Sequence, residues 1–183
     1  LLFGASLILM RSAIPETLSS DTSWAQTGAW KINLALGLMP FAGIAYLWFI
    51  GVVRDKLGEF EDRFFSTIFF GSSLLFLAMV FISMSIAGGI LSIYLLITGE
   101  TPDYSVILFG RALMLHISNV YALRMAGMTM ISLATIWIRT GLMARWLAVL
   151  TYVLAAVLLL VVSLSVWVTL IYPAWVFLIS VYI

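Results

Sequence analysis

The chain alternates long apolar stretches with short segments that carry its charges, prolines and turn residues. Several stretches hold about 20 or more consecutive apolar positions, the length that an α-helix needs to cross the ~30 Å hydrocarbon core of a bilayer. Short polar segments separate these stretches, such as the turn at 100–103. This pattern predicts an all-α fold, a polytopic helical transmembrane bundle of about five spans.

The apolar stretches set the boundaries of one helical membrane domain over residues 1–183. The predicted spans are 1–11 (partial), 31–53, 65–86 with an extension to 98, 117–138 and 147–171. Pro173 opens a last segment, 173–183, which we interpret as a truncated or re-entrant sixth span or as an interfacial helix. Because the first and last stretches begin and stop within apolar sequence, we expect both to be incomplete.

Glycine and proline predict breaks in two spans. Pro40 lacks a backbone donor and leaves the carbonyl of Leu36 without its helical partner, so a kink is expected between Gly37 and Pro40. Residues 64–98 carry no charge and would form a helix of roughly 50 Å, longer than a bilayer core. Either this helix tilts and projects beyond the core, or it breaks at Gly88 and Gly89. The favoured interpretation is one span over 65–86 followed by an extension at the outer surface. The hinge candidates are therefore Gly37, Pro40, Gly88 and Gly89, although such kinks are usually structural.

Composition indicates that lipid is the main solvent of the chain. Of 183 residues, 64% are hydrophobic and 9% are charged, and the mean hydropathy is +1.18. Soluble domains are about 25% charged. The net charge of +1 and the absence of a clustered basic face argue against a nucleic-acid partner. The chain has no cysteine, which excludes disulfides and thiolate metal ligands within it.

The basic residues of the short loops predict the orientation. Arg54, Lys56 and Arg63 lie in one loop, and Arg139 and Arg145 lie two spans later. Segments 12–29 and 99–105 contain no basic residue. By the positive-inside rule the first two loops are cytoplasmic and the N-terminus of the first span is cytoplasmic. We therefore expect a multi-pass protein of the inner (plasma) membrane, with the lipid bilayer as its first partner.

The only dense run of charge lies between the second and third stretches. The simplest interpretation is a solvated loop between two helices. The alternative is a loop that docks a membrane or cytoplasmic protein partner. Its charged residues are Arg54, Asp55, Lys56, Glu59, Glu61, Asp62 and Arg63.

The fourth stretch holds the polar residues that are costly in lipid. An arginine at the centre of a span costs roughly 2.5–3.5 kcal/mol on insertion scales, so it normally faces protein or water and has a partner. At 100° per residue, Arg124, His116 and Asn119 share a broad face, whereas Arg111 points elsewhere and is expected at the outer headgroup level. These three residues are the candidate site for an anion or a lipid headgroup. The structural alternative is that Arg124 snorkels outward or ties helices together.

No span contains an acidic residue, so a partner for Arg124 must come from elsewhere. The candidates are Asp21, Glu100, Asp103, the side chain of Asn33 and the carbonyl of Leu36.

Catalytic templates are absent from the sequence. It contains no His-Glu-x-x-His, no P-loop and no Gly-x-Ser-x-Gly. His116 is the single histidine, so a bis-histidine haem within one chain is excluded, and both lysines lie at interfaces. We therefore predict no catalytic residue, no metal site and no cofactor.

Two short segments carry a resemblance. Residues 51–65 (Gly-Val-Val-Arg-Asp-Lys-Leu-Gly-Glu-Phe-Glu-Asp-Arg-Phe-Phe) resemble a stretch common in small, uncharacterised bacterial multi-pass inner-membrane proteins. Residues 139–147 (Arg-Thr-Gly-Leu-Met-Ala-Arg-Trp-Leu) look like a loop found in several such families. The resemblance implies a bacterial inner-membrane protein and supplies no functional residues.

Three functions stay open at this level. The favoured one is a non-catalytic accessory or scaffolding subunit of a membrane complex, because ionisable groups inside the spans are scarce. The second is an oligomeric channel or transporter for an anion or small solute, built around Arg124, His116 and Asn119. The third is a membrane enzyme that acts on lipid, with His116 as the base.

Overall fold

The described part of the chain is helical apart from a short connection at 141–144 and the first residue, and it contains no strand. The computed structural model describes the backbone of residues 1–13, 23–57, 63–96, 104–160 and 166–182. The helices are α1 (Leu2–Ala13), α2 (Ser23–Leu57), α3 (Arg63–Leu96), α4 (Tyr104–His116), a π-helical segment (Ile117–Ala122), α5 (Leu123–Thr140), α6 (Arg145–Leu160), a 3-10 helix (Val166–Leu170) and α7 (Ile171–Tyr182). Helices suit an apolar chain in lipid because they satisfy every backbone donor and acceptor internally.

Three helices are long and apolar enough to cross a membrane. They are Gly28–Lys56, Arg63–Ile93 and Ser105–Thr140, with 29, 31 and 36 residues. The third runs unbroken through α4, the π segment and α5. The shorter apolar helices are Leu2–Ala13, Arg145–Leu160 and Val168–Tyr182. The structure therefore supports a helical membrane protein, while the count of five spans stays a prediction.

Helices α3 and α5 form the centre of the bundle. α3 packs on α5, α5 also packs on α6, and α1 lies chiefly along α2. α7 buries Tyr172, Trp175 and Ile179. Helices α5 and α6 approach closely at Gly127, where an added Cβ would lie 2.9 Å from the Leu159 side chain and 3.3 Å from the Ala155 carbonyl oxygen. Small residues allow this kind of backbone approach between membrane helices.

The ends of two helices follow from turn residues. Gly141 has φ +69°, and its N–H donates to the Trp137 carbonyl at 2.9 Å, which ends α5. Pro173 lies in the first turn of α7, where a missing N–H costs no helical bond. The predicted span 147–171 therefore covers most of α6, residues outside the described ranges and the 3-10 helix.

The predicted breaks in the second and third stretches do not end a helix. α2 begins at Ser23 rather than near residue 31 and continues through Gly37 and Pro40. α3 continues through Gly88 and Gly89 to Leu96. In an apolar environment, a helix keeps the peptide groups at such glycines bonded, whereas a break would leave them unsatisfied. Whether any of these four residues acts as a hinge stays a prediction.

Candidate functional site

The predicted docking loop begins at one end of the bundle. The Arg54 guanidinium lies over the Phe70 ring at 5.1 Å and that of Arg139 over the Phe65 ring at 4.8 Å. Because both rings belong to the first turns of α3, these two basic residues share one end, which we call the Arg54 end. Asp55, Lys56 and Arg63 are exposed there. Glu59, Glu61 and Asp62 lie outside the described residues.

The long helix 104–140 changes its hydrogen-bonding pattern in the middle. Residues Ile117–Ala122 form a π-helical segment, and both flanking residues, His116 and Leu123, keep right-handed helical angles. A π segment closes its turns with i→i+5 bonds, is rare, and occurs frequently at functional sites. The segment therefore changes the direction of every side chain that follows it, compared with a regular α-helix.

A side chain from α1 binds this π segment. Arg11 donates from Nη2 to the Asn119 Oδ1 at 2.5 Å and to the Ser118 Oγ at 3.4 Å. The three side chains are half-buried. Hydrogen bonds with a charged donor are roughly twice as strong as neutral ones. This contact joins the end of the first helix to the long helix across 108 positions of sequence.

A second arginine stands beside the first. Arg111 lies about two helical turns before Ser118, on the same side of the helix. It is close enough for its charge to act on Arg11. Its buried Nε atom donates no hydrogen bond, although the side chain makes another interaction. We call Arg11, Arg111, Ser118 and Asn119 the arginine cluster.

The structure divides the predicted triad of Arg124, His116 and Asn119. Asn119 belongs to the arginine cluster, whereas His116 is exposed and hydrogen bonds to no described residue. Arg124 donates from Nη1 to the carbonyl of Val120, in its own helix, at 3.3 Å. The shared face was derived with a constant 100° step, which does not hold across a π segment.

Two of the partners predicted for Arg124 are not the one observed. Its described hydrogen bond goes to Val120 and to neither Asn33 nor the Leu36 carbonyl. Asp21, Glu100 and Asp103 lie outside the described residues.

The sequence does not predict the contact of Arg11, which only marks the end of the first apolar stretch. Arg111 is expected to point away from Asn119, whereas the structure places its charge near Arg11, which binds Asn119. The depth of each residue in the membrane, counted along its helix, could have indicated that Arg11 and Asn119 lie close together. Asn119 lies roughly 28 Å along the helix from Ile138, about one bilayer core, and Arg11 closes the first apolar stretch at the same level.

A second polar group lies deeper in the bundle and joins four helices. The hydroxyls of Tyr46 and Tyr172 lie 2.5 Å apart, and the Ser72 and Thr129 hydroxyls lie 3.0 Å apart. Ser73 donates to Thr129 at 3.4 Å. The Ser73 side chain also lies near the Tyr46 hydroxyl, and that of Thr129 near the Tyr172 hydroxyl. We call these five residues, which are all buried, the hydroxyl cluster.

Other polar side chains also connect helices. Trp175 of α7 donates to the Thr151 hydroxyl of α6 at 3.0 Å, and the Thr135 and Tyr152 hydroxyls of α5 and α6 lie 2.6 Å apart. Near the middle of α3, Ser83 donates to the Met114 carbonyl at 3.1 Å. Interhelical bonds of this kind stabilise membrane bundles.

An apolar cavity of about 330 Å³ adjoins the hydroxyl cluster. Its walls come from α1, α2, α3 and α7, and they include Tyr46 and Tyr172 of the hydroxyl cluster. The cavity lies beside the first residues of α1. Within the described ranges, no three His, Asp or Glu side chains are grouped to hold a metal ion.

The geometry defines a class of protein, a helical membrane protein with a half-buried arginine cluster and a buried hydroxyl cluster. The chain matches no family model, no curated protein and no solved structure.

Proposed function

We propose that this chain is a non-catalytic accessory or scaffolding subunit of a membrane complex. One observation supports this proposal more than any other. Several buried polar side chains of the described bundle bond to one another between helices, as Tyr46 does with Tyr172 and Trp175 with Thr151. A catalytic centre instead needs a nucleophile, an acid or a base aimed at a space that a substrate can enter. The arrangement suits a rigid body that presents surfaces.

The topology that goes with this proposal has about five spans in a bacterial inner membrane. The Arg54 end is cytoplasmic in this proposal, because the basic residues of two loops lie there. The chain has no cysteine, so single cysteines give labelling without background. Lys56→Cys should resist a membrane-impermeant maleimide in intact cells, and Thr101→Cys should react. Labelling of Lys56→Cys alone would contradict the orientation.

The exposed charges at the Arg54 end are the proposed docking surface. Asp55 and Lys56 extend into solvent at the end of α2. Exchanging them, as Asp55→Lys with Lys56→Asp, keeps the composition and the net charge but changes the pattern that a partner would read. Electrostatic patterns of this kind act mainly on specificity and on the association rate.

The test is co-purification of a stoichiometric protein partner with the tagged wild-type chain. We expect the charge exchange to reduce the partner-to-chain ratio at least tenfold. Arg145→Gln, at the same end but outside the docking loop, is the control and should retain the partner. Purification of the wild-type chain without any stoichiometric partner would contradict the proposal.

The second candidate is an oligomeric channel or transporter for an anion. The observation in its favour is the arginine cluster, because positive charge held inside a membrane helix bundle is a common feature of anion pathways. Flux of an anion through reconstituted protein tests it. Unchanged flux in Arg124→Ala would show that Arg124 is not part of the anion pathway. Unchanged flux in Arg11→Gln would show the same for the arginine cluster.

The enzymatic alternative requires His116 to act as a base on lipid. The exposure of this side chain at the surface of the long helix would allow contact with lipid. Turnover of lipid by the purified chain that disappeared in His116→Ala would support an enzyme, and turnover that survived would exclude this assignment.

A further inference from the structure

The arginine cluster places two positive charges near each other. Arg11 and Arg111 come from different helices, and the charge of each acts on the other. Asn119 and Ser118, which bind Arg11, contribute no negative charge. Two like charges in a half-buried place repel each other, whereas an anion near both is attracted to each of them.

The remaining donors of Arg11 are suited to such an anion. An arginine presents five N–H donors in a planar fork. Both described hydrogen bonds of Arg11 leave from Nη2, so the donors on Nη1 and Nε are not used by the described residues. A guanidinium edge of this kind matches the oxygens of a phosphate in a bidentate arrangement. Asn119 fixes the guanidinium while its other edge stays available.

The depth of the cluster selects the kind of anion. Asn119 lies roughly 28 Å along the helix from Ile138, close to the thickness of a bilayer core. With Arg139 of the Arg54 end at one interface, the arginine cluster lies at the headgroup level of the other leaflet. The phosphates of lipids are concentrated at this level.

From the charge, the unused guanidinium edge and the depth together, we propose that the arginine cluster binds the phosphate of an anionic lipid headgroup. Arg11 supplies the bidentate edge, Arg111 supplies a second positive charge, and Asn119 with Ser118 holds Arg11 in place. This site goes beyond the scaffolding role. The two proposals can fail independently. Loss of the phosphate site would leave the scaffolding role standing, and absence of a protein partner would leave the phosphate site standing.

The test measures retention of lipid and stabilisation by phosphate on the full chain. Native mass spectrometry after extraction from mixed phosphatidylcholine and phosphatidylglycerol membranes counts the bound phosphatidylglycerol. Thermal unfolding in detergent with inorganic phosphate reports a free anion. We expect retention of phosphatidylglycerol over phosphatidylcholine, and at least tenfold weaker retention in Arg11→Gln. Arg145→Gln removes one positive charge from the opposite end and should leave retention unchanged.

A second variant covers the case in which Arg11→Gln fails to fold. Asn119→Asp keeps the size of the side chain and the acceptor for Arg11 but brings a carboxylate into the cluster. This variant should fold and should lose phosphatidylglycerol, because the new carboxylate neutralises the positive charge of Arg11 that would otherwise attract the phosphate.

The outcomes show whether the site exists and whether it binds a lipid phosphate or a free phosphate. Stabilisation by inorganic phosphate that disappears in Asn119→Asp, without lipid retention, would assign the site to a free phosphate. Equal retention in wild type, Arg11→Gln and Asn119→Asp would overturn the site and show annular lipid only. Absence of both effects in the wild type would overturn it as well. Such a result would show that the chain neutralises these arginines with its own groups.

Discussion

The arginine cluster and the hydroxyl cluster solve the same problem, polar groups inside a membrane bundle, in different ways. The hydroxyl cluster is fully buried, and Tyr46, Tyr172, Ser72, Ser73 and Thr129 each act as donor or acceptor for another member. The arginine cluster is half-buried, and its two cations repel each other. Hydroxyls can both donate and accept, whereas arginines can only donate.

This difference indicates which cluster serves the fold and which serves binding. Hydroxyls can satisfy one another's hydrogen bonds, so their burial costs little free energy. The same bonds fix the register of the four helices that supply them. A group of arginines cannot complete itself and depends on acceptors from outside the group. The first is expected to respond to mutation through stability, and the second mainly through ligand affinity.

The largest expected effect is the loss of a ring from the hydroxyl cluster. Tyr172 is 1% exposed, and its ring lies 4.5 Å from that of Phe76 and 5.7 Å from that of Trp175. Tyr172→Ala should lower the free energy of unfolding by about 3–5 kcal/mol, since truncating a buried aromatic leaves a cavity. The measurement is unfolding in mixed micelles followed by circular dichroism.

The control for Tyr172→Ala lies on the same helix. Tyr182 is 51% exposed, so Tyr182→Ala should change the free energy of unfolding by about 0.5 kcal/mol or less. Equal losses in the two variants would mean that the ring of Tyr172 is not in a packed core.

A smaller effect is expected from removing the acceptor of Arg11. Asn119→Leu leaves Nη2 of Arg11 without its 2.5 Å partner and should cost about 1.5–3 kcal/mol, the range for hydrogen bonds to charged groups. Asn119→Asp keeps an acceptor and should retain the wild-type stability or exceed it. If both variants unfolded at the wild-type free energy, the bond between α1 and the π segment would carry no stability.

The smallest effect is expected from removing one hydroxyl of the buried tyrosine pair. Tyr46→Phe keeps the ring contacts with Phe3 and Phe76 and removes only the bond to Tyr172. Interhelical hydrogen bonds in membranes average about 0.6 kcal/mol, with values up to ~1.7. A loss well above ~1.7 kcal/mol would mean that this hydroxyl pair contributes more than an ordinary interhelical hydrogen bond.

Much of the architecture could be predicted from sequence because lipid leaves few options. An apolar stretch of about 20 residues in lipid must be helical, and the long helices were placed by hydropathy alone. The break considered at Gly88 and Gly89 is absent from α3 for the same reason, because a glycine in lipid does not release its peptide group to water. Such positions end helices in soluble proteins, where water takes over the broken bond.

The candidate site could be predicted only in part. Asn119 was found because a polar residue in an apolar stretch is conspicuous. Its partner Arg11 lies 108 positions away, and only the packing of helices determines that pair. The π segment depends on the same packing and leaves no pattern in the sequence. The pair of Tyr46 and Tyr172, 126 positions apart, was missed for the same reason.

Native mass spectrometry of the wild-type chain after gentle extraction tests the scaffolding role most directly. The account predicts a heteromeric assembly with a stoichiometric protein partner, and with phosphatidylglycerol still bound to this chain. A pure homo-oligomer of three or more copies would contradict the scaffolding role and favour the anion pathway. A lone monomer without retained lipid would contradict both the scaffolding role and the phosphate site.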